Sequence, residues 1–326
     1  MCLACRPADG YRPGGVRGRR PIGRGRLRRT IAAIAALLVV LVLAAPVSAR
    51  NIPLPNWPQI LPANPNNSSA TVPLDFDVCP GGEFTCPAEV IDEMIARWQP
   101  LDASCDHRAV FALTYLRTTE EFFRTVTDNP NFSSDPAWLN HEDAVFAELY
   151  FRAYDNWEAG QPVPAAWRIA FETAATGNET AIGDLLLGMN AHITRDLPFT
   201  LAHVGLVKPD GSTRKPDHDR VNEFLDRVAD PLQDEASSLY DPLFRITDLE
   251  PSPVDEILIL QIVRGMRELA WRNAERLVNA KTAFARSLVA VSIERQAANF
   301  ARIIRLSQFV PGYGRVRDAY CAAHHP

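Results

Sequence analysis

The chain has 326 residues and a formal net charge of −5, and that charge is unevenly distributed. Residues 1–49 hold nine arginines and one aspartate, a net charge of +8, which leaves −13 for residues 50–326. A domain this acidic has no net attraction to phosphate backbones, so the composition argues against a nucleic-acid partner.

Residues 1–49 match a secretory signal peptide. An arginine-rich start is followed by an uncharged apolar run over 31–45 and by small residues that end at Ala49. The run is shorter than the roughly 20 residues that a membrane-spanning helix needs. We therefore expect a secreted or cell-envelope protein, exported by either the Sec or the twin-arginine route. The alternative is a membrane anchor, with residues 31–49 as the only membrane contact if they are not cleaved.

Residues 50–86 are predicted to be a linker that ends in a short cysteine loop. Prolines are frequent among asparagines and serines up to residue 78, and few large apolar side chains accompany them. Such a composition favours an extended segment.

Four cysteines remain after the signal peptide, namely Cys79, Cys86, Cys105 and Cys321. An even number in an exported chain indicates two disulfides. A zinc site would require closely paired CxxC ligands, which the sequence after residue 49 lacks. Of the three possible pairings we favour Cys79–Cys86, which closes a short loop, and Cys105–Cys321, which ties the C-terminal tail to an early helix.

Residues 87–326 are predicted to form a single compact all-α domain of about eight or more helices. Apolar side chains recur at intervals of three to four residues, and no alternating strand pattern stands out. Asp135 before Pro136 marks the start of one helix, and Pro164 and Gly177 mark the two ends of another. Ser252 and Pro253 are predicted to start a long helix. Short connections between such helices are typical of one compact domain.

One helix carries the residues with the clearest chemical potential, His192, Asp196 and His203. His192 and Asp196 lie one helical turn apart, and His203 would return to the same edge if the helix continued. Imidazole and carboxylate groups at one edge favour zinc or another divalent metal. Pro198 complicates this prediction because it should kink or restart the helix before His203.

Two further histidines are candidates for the remaining metal ligands. His218 and His107 each follow an aspartate near a predicted helix start. The alternative for the aspartates is helix capping, and the alternative for His192 and Asp196 is a structural pair.

Several known catalytic patterns are absent: no HExxH, GxSxG or Walker A motif occurs in the sequence.

Two resemblances follow from these residues. The chain resembles an uncharacterised family of bacterial helical proteins over about residues 88–320, and the resemblance is carried by GMNAHI at 188–193, DLP at 196–198, AELYF at 147–151 and PAAW at 164–167. This family implies a helical fold and no established activity.

The second resemblance is distant. The spacing of His192, Asp196 and His203 is similar to the HxxxD-x5-H segment of the zinc-dependent phospholipase C and P1 nuclease families. It implies these three residues as zinc ligands, with His218 as the next. The chain departs from the pattern by one extra residue before His203. It also has Arg50 at the predicted mature N-terminus, where those enzymes use a tryptophan.

Two functions are therefore left open by the sequence. The first is a metal-dependent hydrolase of phosphoesters, with zinc or a similar ion activating a water molecule. The second is a non-catalytic exported protein that binds a small molecule, a lipid or a protein partner, with His192 and Asp196 as a structural pair.

Overall fold

The computed structural model describes residues 54–64, 69–246 and 254–325. The predicted signal peptide and the predicted helix start at Ser252 and Pro253 lie outside these residues. Within the described ranges the protein is all-α, and no β-strand occurs there. The predicted fold class is confirmed.

Thirteen α-helices and one π-helical segment make up the described chain. In order they are α1 Trp57–Ile60, α2 Cys86–Ala103, α3 Ala109–Asp128, α4 Pro136–Glu158, α5 Ala165–Thr176, α6 Ala181–Met189, the π-helical segment Asn190–Asp196, α7 Leu197–Val204, α8 Lys215–Arg220, α9 Asn222–Leu239, α10 Leu243–Ile246, α11 Val254–Asn279, α12 Ala283–Gln308 and α13 Gly314–His324.

Local sequence explains several helix boundaries. The Asp135 side chain accepts a hydrogen bond from the Trp138 amide and caps α4, with Pro136 in the first turn. Pro164 precedes α5, and Gly177 ends it in the left-handed conformation, with φ at 60°. These are the ends that the sequence predicts.

The continuous segment from α6 through α7 forms the centre of the fold. Residues 181–204 are buried at almost every position, although several of the buried side chains are polar. Helices α3, α4, α5, α11 and α12 pack around this segment. Gly188 allows α3 to approach closely, since a Cβ atom there would lie 2.4 Å from the Phe111 ring.

Pro198 explains the π-helical turn in the middle of this segment. Proline has no amide hydrogen, and its ring clashes with the carbonyl four residues earlier in a regular α-helix. The chain widens before Pro198, so that the Leu197 amide donates to the His192 carbonyl five residues back. Helix α7 then starts at Leu197. The predicted disturbance at Pro198 is therefore a π-helical turn, a feature that is frequent at functional sites.

Against the expectation of an extended linker over 50–86, the described parts of this segment pack on the helical domain. Trp57 and Leu61 are buried against Met266 and Phe300. The Val72 amide also donates to the Ala202 carbonyl at 2.8 Å. The proline content of the segment prevents long helices, but its few large apolar side chains bury enough surface to hold it in place.

Both disulfides have the pairing favoured from the sequence, Cys79–Cys86 and Cys105–Cys321. The second joins the residues just before α3 to α13. Disulfides of this kind are compatible with an exported protein. Among the described residues, no helix is long and apolar enough to cross a membrane.

Candidate functional site

A cavity of about 200 Å³ lies beside the π-helical segment. Its walls come from α3, α4, α6, the π-helical segment, α9 and α11, and most of the lining is apolar. Helix α9 contributes the apolar face of a strongly amphipathic sequence, with Phe224, Val228 and Leu232 turned to the cavity. Val228, Leu232 and Leu260, on α9 and α11, are among the half-buried residues of the lining.

Nine polar side chains interrupt this apolar lining, and six of them share one feature. Each of the six has a buried polar atom without a hydrogen-bond partner: Tyr115 Oη, Thr119 Oγ1, Glu142 Oε2, Asp143 Oδ2, His192 Nε2 and Arg267 Nε. Buried polar groups are nearly always paired, because each unpaired group costs about 1–3 kcal/mol. A concentration of such groups around one cavity indicates a place where a bound molecule supplies the partners.

His192 is held in one orientation by its neighbours. Its Nδ1 lies 3.2 Å from Asp196 Oδ2, which also accepts a hydrogen bond from Trp167 Nε1 at 2.8 Å. Asp196 Oδ1 accepts from Arg195 at 2.7 Å, so both oxygens of this fully buried side chain have hydrogen-bond donors. The imidazole is almost fully buried, and burial lowers its pKa below the ordinary value. His192 is therefore neutral near pH 7.

Burial shifts the pKa of the two adjacent acids on α4, Glu142 and Asp143, in the opposite direction, upward. Burial raises the pKa of Asp143 to about 8, and the nearby charge of Glu142 adds to this effect. Burial also raises the pKa of Glu142 to about 7, against the opposing effect of Arg267. At neutral pH the Asp143 carboxyl is thus mostly protonated and able to donate a hydrogen bond.

Glu142 belongs to a buried cluster with His218 and Arg267. His218 Nδ1 lies 3.3 Å from Glu142 Oε1, and Arg267 Nη2 donates to the His218 carbonyl at 2.6 Å. Burial first, and then the charge of Arg267, hold the pKa of His218 well below its usual range. His218 therefore supports the polar end of the cavity without lining it.

The structure does not bring His203 to His192 and Asp196. His203 Nε2 lies 3.1 Å from Asp77 Oδ1, which His141 Nε2 also contacts at 2.7 Å. The Leu74 amide donates to His203 Nδ1 at 3.1 Å, so Nδ1 is unprotonated and the neutral ring carries its proton on Nε2. That proton points to Asp77, and a metal ion at Nε2 would have to displace it.

His107 is also separate from the other predicted ligands. Its Nδ1 lies 2.9 Å from Asp184 Oδ2 and its Nε2 lies 3.0 Å from Asp318 Oδ1. The five residues predicted as metal ligands are thus divided among four places: His192 with Asp196, His203 with Asp77, His218 with Glu142, and His107 with Asp184.

This arrangement does not fit the zinc cluster that the distant resemblance implies. Both oxygens of Asp196 already accept hydrogen bonds, and the imidazoles that should join it lie elsewhere. The ligand-type atoms that come closest together within the described chain include those of Asp77, His141 and His203. The other such groups contain disulfide-bonded cysteines, whose sulfurs are not thiolates.

Tyr115, Glu142, Asp143 and Arg267 line the cavity and were not predicted from the sequence. One of them could have been identified from the sequence pattern. Glu142 lies four residues after Trp138 and four before Phe146, on the apolar face of α4. A charged residue on such a face is a candidate for a buried functional group.

The fold and the cavity together define an all-helical protein with a largely apolar, partly open cavity and a cluster of unpaired polar groups in its wall. Residues 88–307 match the family of unknown function DUF5995, and the chain belongs to this family. Neither the curated proteins nor the solved structures give a significant match. The predicted membership of an uncharacterised family is confirmed, whereas the likeness to phospholipase C and P1 nuclease has no support.

Proposed function

We propose that this protein binds one compact, largely apolar molecule that carries a polar group, and that it does so after export from the cytoplasm. The observation that supports binding is the coincidence of an apolar cavity with six unpaired polar atoms on its lining residues. Ligand sites commonly combine an apolar lining with a few convergent polar groups. The two disulfides and the basic, apolar N-terminal segment support export.

The cavity volume limits the size of the ligand. A closed cavity of about 150 Å³ holds benzene, so the volume of about 200 Å³ here, which is partly open to solvent, suits a compact molecule somewhat larger than benzene, such as a bicyclic one. A full-length lipid chain exceeds this volume. The neutral His192 accepts a hydrogen bond and the protonated Asp143 donates one, so a hydroxyl or carbonyl group suits the polar wall.

A metal-dependent phosphoester hydrolase, the other function predicted from the sequence, has less support. Its expected ligands are divided among four places, and Asp196 has no free oxygen for a metal. The cavity wall that contains His192 is also mainly apolar, which disfavours a charged phosphoester.

The binding proposal is tested with 2-naphthol, a fluorescent bicyclic molecule with one hydroxyl group, and with naphthalene as its apolar counterpart. We expect saturable binding of both, with 2-naphthol about fivefold tighter because one hydrogen bond contributes about 1 kcal/mol. Val228→Trp fills the cavity and should weaken binding at least tenfold.

The matched control is Val291→Trp, which places the same side chain at an exposed position of α12 outside the cavity. Its affinity should equal that of the unmodified protein. Equal affinity of the Val228→Trp protein, or no saturable binding of either probe, would contradict the proposal.

A further inference from the structure

We propose that His192 is a catalytic base toward the molecule bound in the cavity. It would remove a proton from a carbon atom next to a carbonyl group, while Tyr115 and Asp143 donate hydrogen bonds to the carbonyl oxygen. This inference rests on the proposed binding function and adds a proton-transfer reaction to it.

The contacts of His192 leave one nitrogen free for this role. Asp196 Oδ2 also accepts a hydrogen bond from Trp167 Nε1, so His192 Nδ1 donates to this oxygen, and the lone pair of the neutral imidazole lies on Nε2. Nε2 is buried and has no partner. Many enzymes orient a catalytic imidazole in this way, with a carboxylate bound to the ring nitrogen that does not react.

Other buried histidines of the described chain do not meet these conditions. His107 has both ring nitrogens paired with carboxylates. His218 has a free Nε2, but it does not line the cavity, and its Nδ1 contacts both Glu142 and Arg267. His192 alone among these three combines a free nitrogen, a carboxylate partner and a place in the cavity wall.

Tyr115 and Asp143 line the same cavity as His192 and come from two different helices. The rings of Tyr115 and His192 have centroids 4.5 Å apart. Asp143 precedes Phe146 by one turn of α4, and Phe146 stacks directly on the imidazole. Their free polar atoms, Tyr115 Oη and Asp143 Oδ2, are therefore available to one oxygen of a ligand that also reaches His192.

The surroundings suit the development of negative charge on that oxygen. Asp143 is protonated near neutral pH, and the phenol of Tyr115 is protonated as well because burial raises its pKa. Two neutral donors in an apolar wall stabilise an oxyanion more strongly than water does, because they are already oriented toward it. A tyrosine paired with a protonated aspartic acid is a known solution for stabilising an enolate.

The proposed step balances without a cofactor. The carbon–hydrogen bond breaks, the proton moves to His192 Nε2, and the electron pair forms a carbon–carbon double bond while the carbonyl becomes an enolate oxygen. When a carbon–carbon double bond adjoins that carbon, the enolate is a dienolate, and its charge extends to the γ-carbon. Return of the proton from His192 to the γ-carbon moves the double bond into conjugation with the carbonyl and restores the neutral imidazole. The class of reaction is therefore the isomerisation of an apolar β,γ-unsaturated carbonyl compound.

The test uses 5-nitrobenzisoxazole, a compact bicyclic probe for a positioned base. The base removes the proton from the ring carbon, that electron pair forms a nitrile, the nitrogen–oxygen bond breaks, and a coloured nitrophenolate is released. The oxygen that gains charge occupies the role of the enolate oxygen. We expect His192→Gln to lower kcat/KM at least 100-fold, as removal of a general base typically does. Asp143→Asn should lower it about tenfold.

Asp196 is a positioning residue, and its variant gives a different signature. Asp196→Asn should lower kcat with little change in KM, because it disturbs the orientation of His192 and not the apolar walls. His107→Gln is the matched control, a buried histidine outside the cavity, and should retain the full rate. Circular dichroism melts establish that each variant is folded.

The outcomes separate the base from the binding function. Displacement of 2-naphthol by 5-nitrobenzisoxazole without turnover overturns the catalytic role and leaves the binding function standing. Turnover that survives His192→Gln also overturns it. Should that variant not fold, Asp143→Asn and Val228→Trp decide, because unchanged turnover in both contradicts reaction in this cavity. Absence of 2-naphthol binding overturns the binding function, and the catalytic role with it.

Discussion

The imidazole of His192 lies flat against the phenyl ring of Phe146, with ring centroids 3.5 Å apart and planes 7° apart. This contact joins the π-helical segment to α4 and sets the plane in which His192 faces the cavity. Asp196 fixes the rotation of the ring within that plane through Nδ1. The two contacts together determine where Nε2 points.

Replacing Phe146 with leucine should therefore have two separate effects, one on the stability of the fold and one on the orientation of His192. Loss of the stacked ring should lower the free energy of unfolding by about 1–2 kcal/mol, measured by urea denaturation. It should also lower turnover of 5-nitrobenzisoxazole by more than it weakens 2-naphthol binding. Phe284→Leu, a substitution at an exposed position, is the control for stability. Parallel losses of turnover and binding would show that Phe146 only shapes the cavity.

The low pKa of His192 predicts a loss of stability in acid. The folded protein keeps this imidazole neutral, while the unfolded chain takes up a proton below about pH 6.5. Stability should thus fall as the pH drops below that value, by at most about 2 kcal/mol between pH 6.5 and 5 for this residue. His192→Gln should reduce that pH dependence. His218, whose pKa is also lowered, maintains the remainder.

Asp196, Tyr115 and Asp143 face His192 and need to be controlled in this measurement. Asp196 favours the charged imidazole and opposes the effect of burial. Asp196→Asn should therefore deepen the loss of stability in acid. If the loss of stability in acid is the same in the His192→Gln protein as in the unmodified protein, this would contradict the neutral, buried state of the imidazole.

The raised pKa of Asp143 predicts that stability falls as the pH rises, which is the opposite of the trend expected for His192. The unfolded chain loses this proton near pH 4, whereas the folded protein keeps it until about pH 8. This residue therefore favours the folded state most at low pH, and its contribution is lost as the pH rises from about 4 to 8. Asp143→Asn should be more stable than the unmodified protein at pH 8, by about 1–3 kcal/mol, and similar to it at pH 4. The exposed Asp92→Asn should show no such difference.

The features that could be predicted from the sequence are those whose determining contacts are local. Asp135 caps α4 through an atom three residues away, and Gly177 ends α5 because glycine readily adopts the left-handed conformation. The His192–Asp196 pair is also a local relationship, four residues apart along one segment. The cysteine pairing followed from number and compartment, with few alternatives to choose from.

The cavity could not be predicted in the same way. Tyr115, Asp143 and Arg267 come from three helices that are distant in sequence, and only tertiary packing brings them to one wall. His203 was misplaced because the π-helical turn at Asn190–Asp196 rotates everything after Pro198 relative to a regular helix. Its actual partner, Asp77, lies in the segment that was predicted to be a linker.

The contacts of His203 provide a direct test of the metal hypothesis. Asp77 joins His141 and His203, and we expect this group to hold residues 72–78 on α4 and α7 without a metal. His203→Ala should lower the melting temperature equally in zinc and in a chelator. His192→Ala should leave the metal content of the purified protein unchanged. A loss of stability that depends on zinc would instead support a metal at Asp77, His141 and His203.

The two disulfides should differ in their contribution to stability because they close loops of very different length. Cys105 and Cys321 are 216 residues apart, whereas Cys79 and Cys86 are 7 apart. Loop-closure entropy predicts a cost of about 5 kcal/mol for removing the long link and about 2 kcal/mol for the short one. Paired alanine substitutions at each bridge, compared by urea denaturation, measure the two costs.

The long link also bears on the position of α13. It holds α13 against the start of α3, where Arg317 contacts His107 and Asp184. Removing Cys105–Cys321 should therefore expose this buried ion-pair cluster to water, and hydrogen exchange in α13 should rise before the rest of the domain unfolds. Exchange in α9 and α11, which wall the cavity, should stay slow, and 2-naphthol should still bind. Loss of binding together with the bridge would show that α13 and the cavity unfold as one unit.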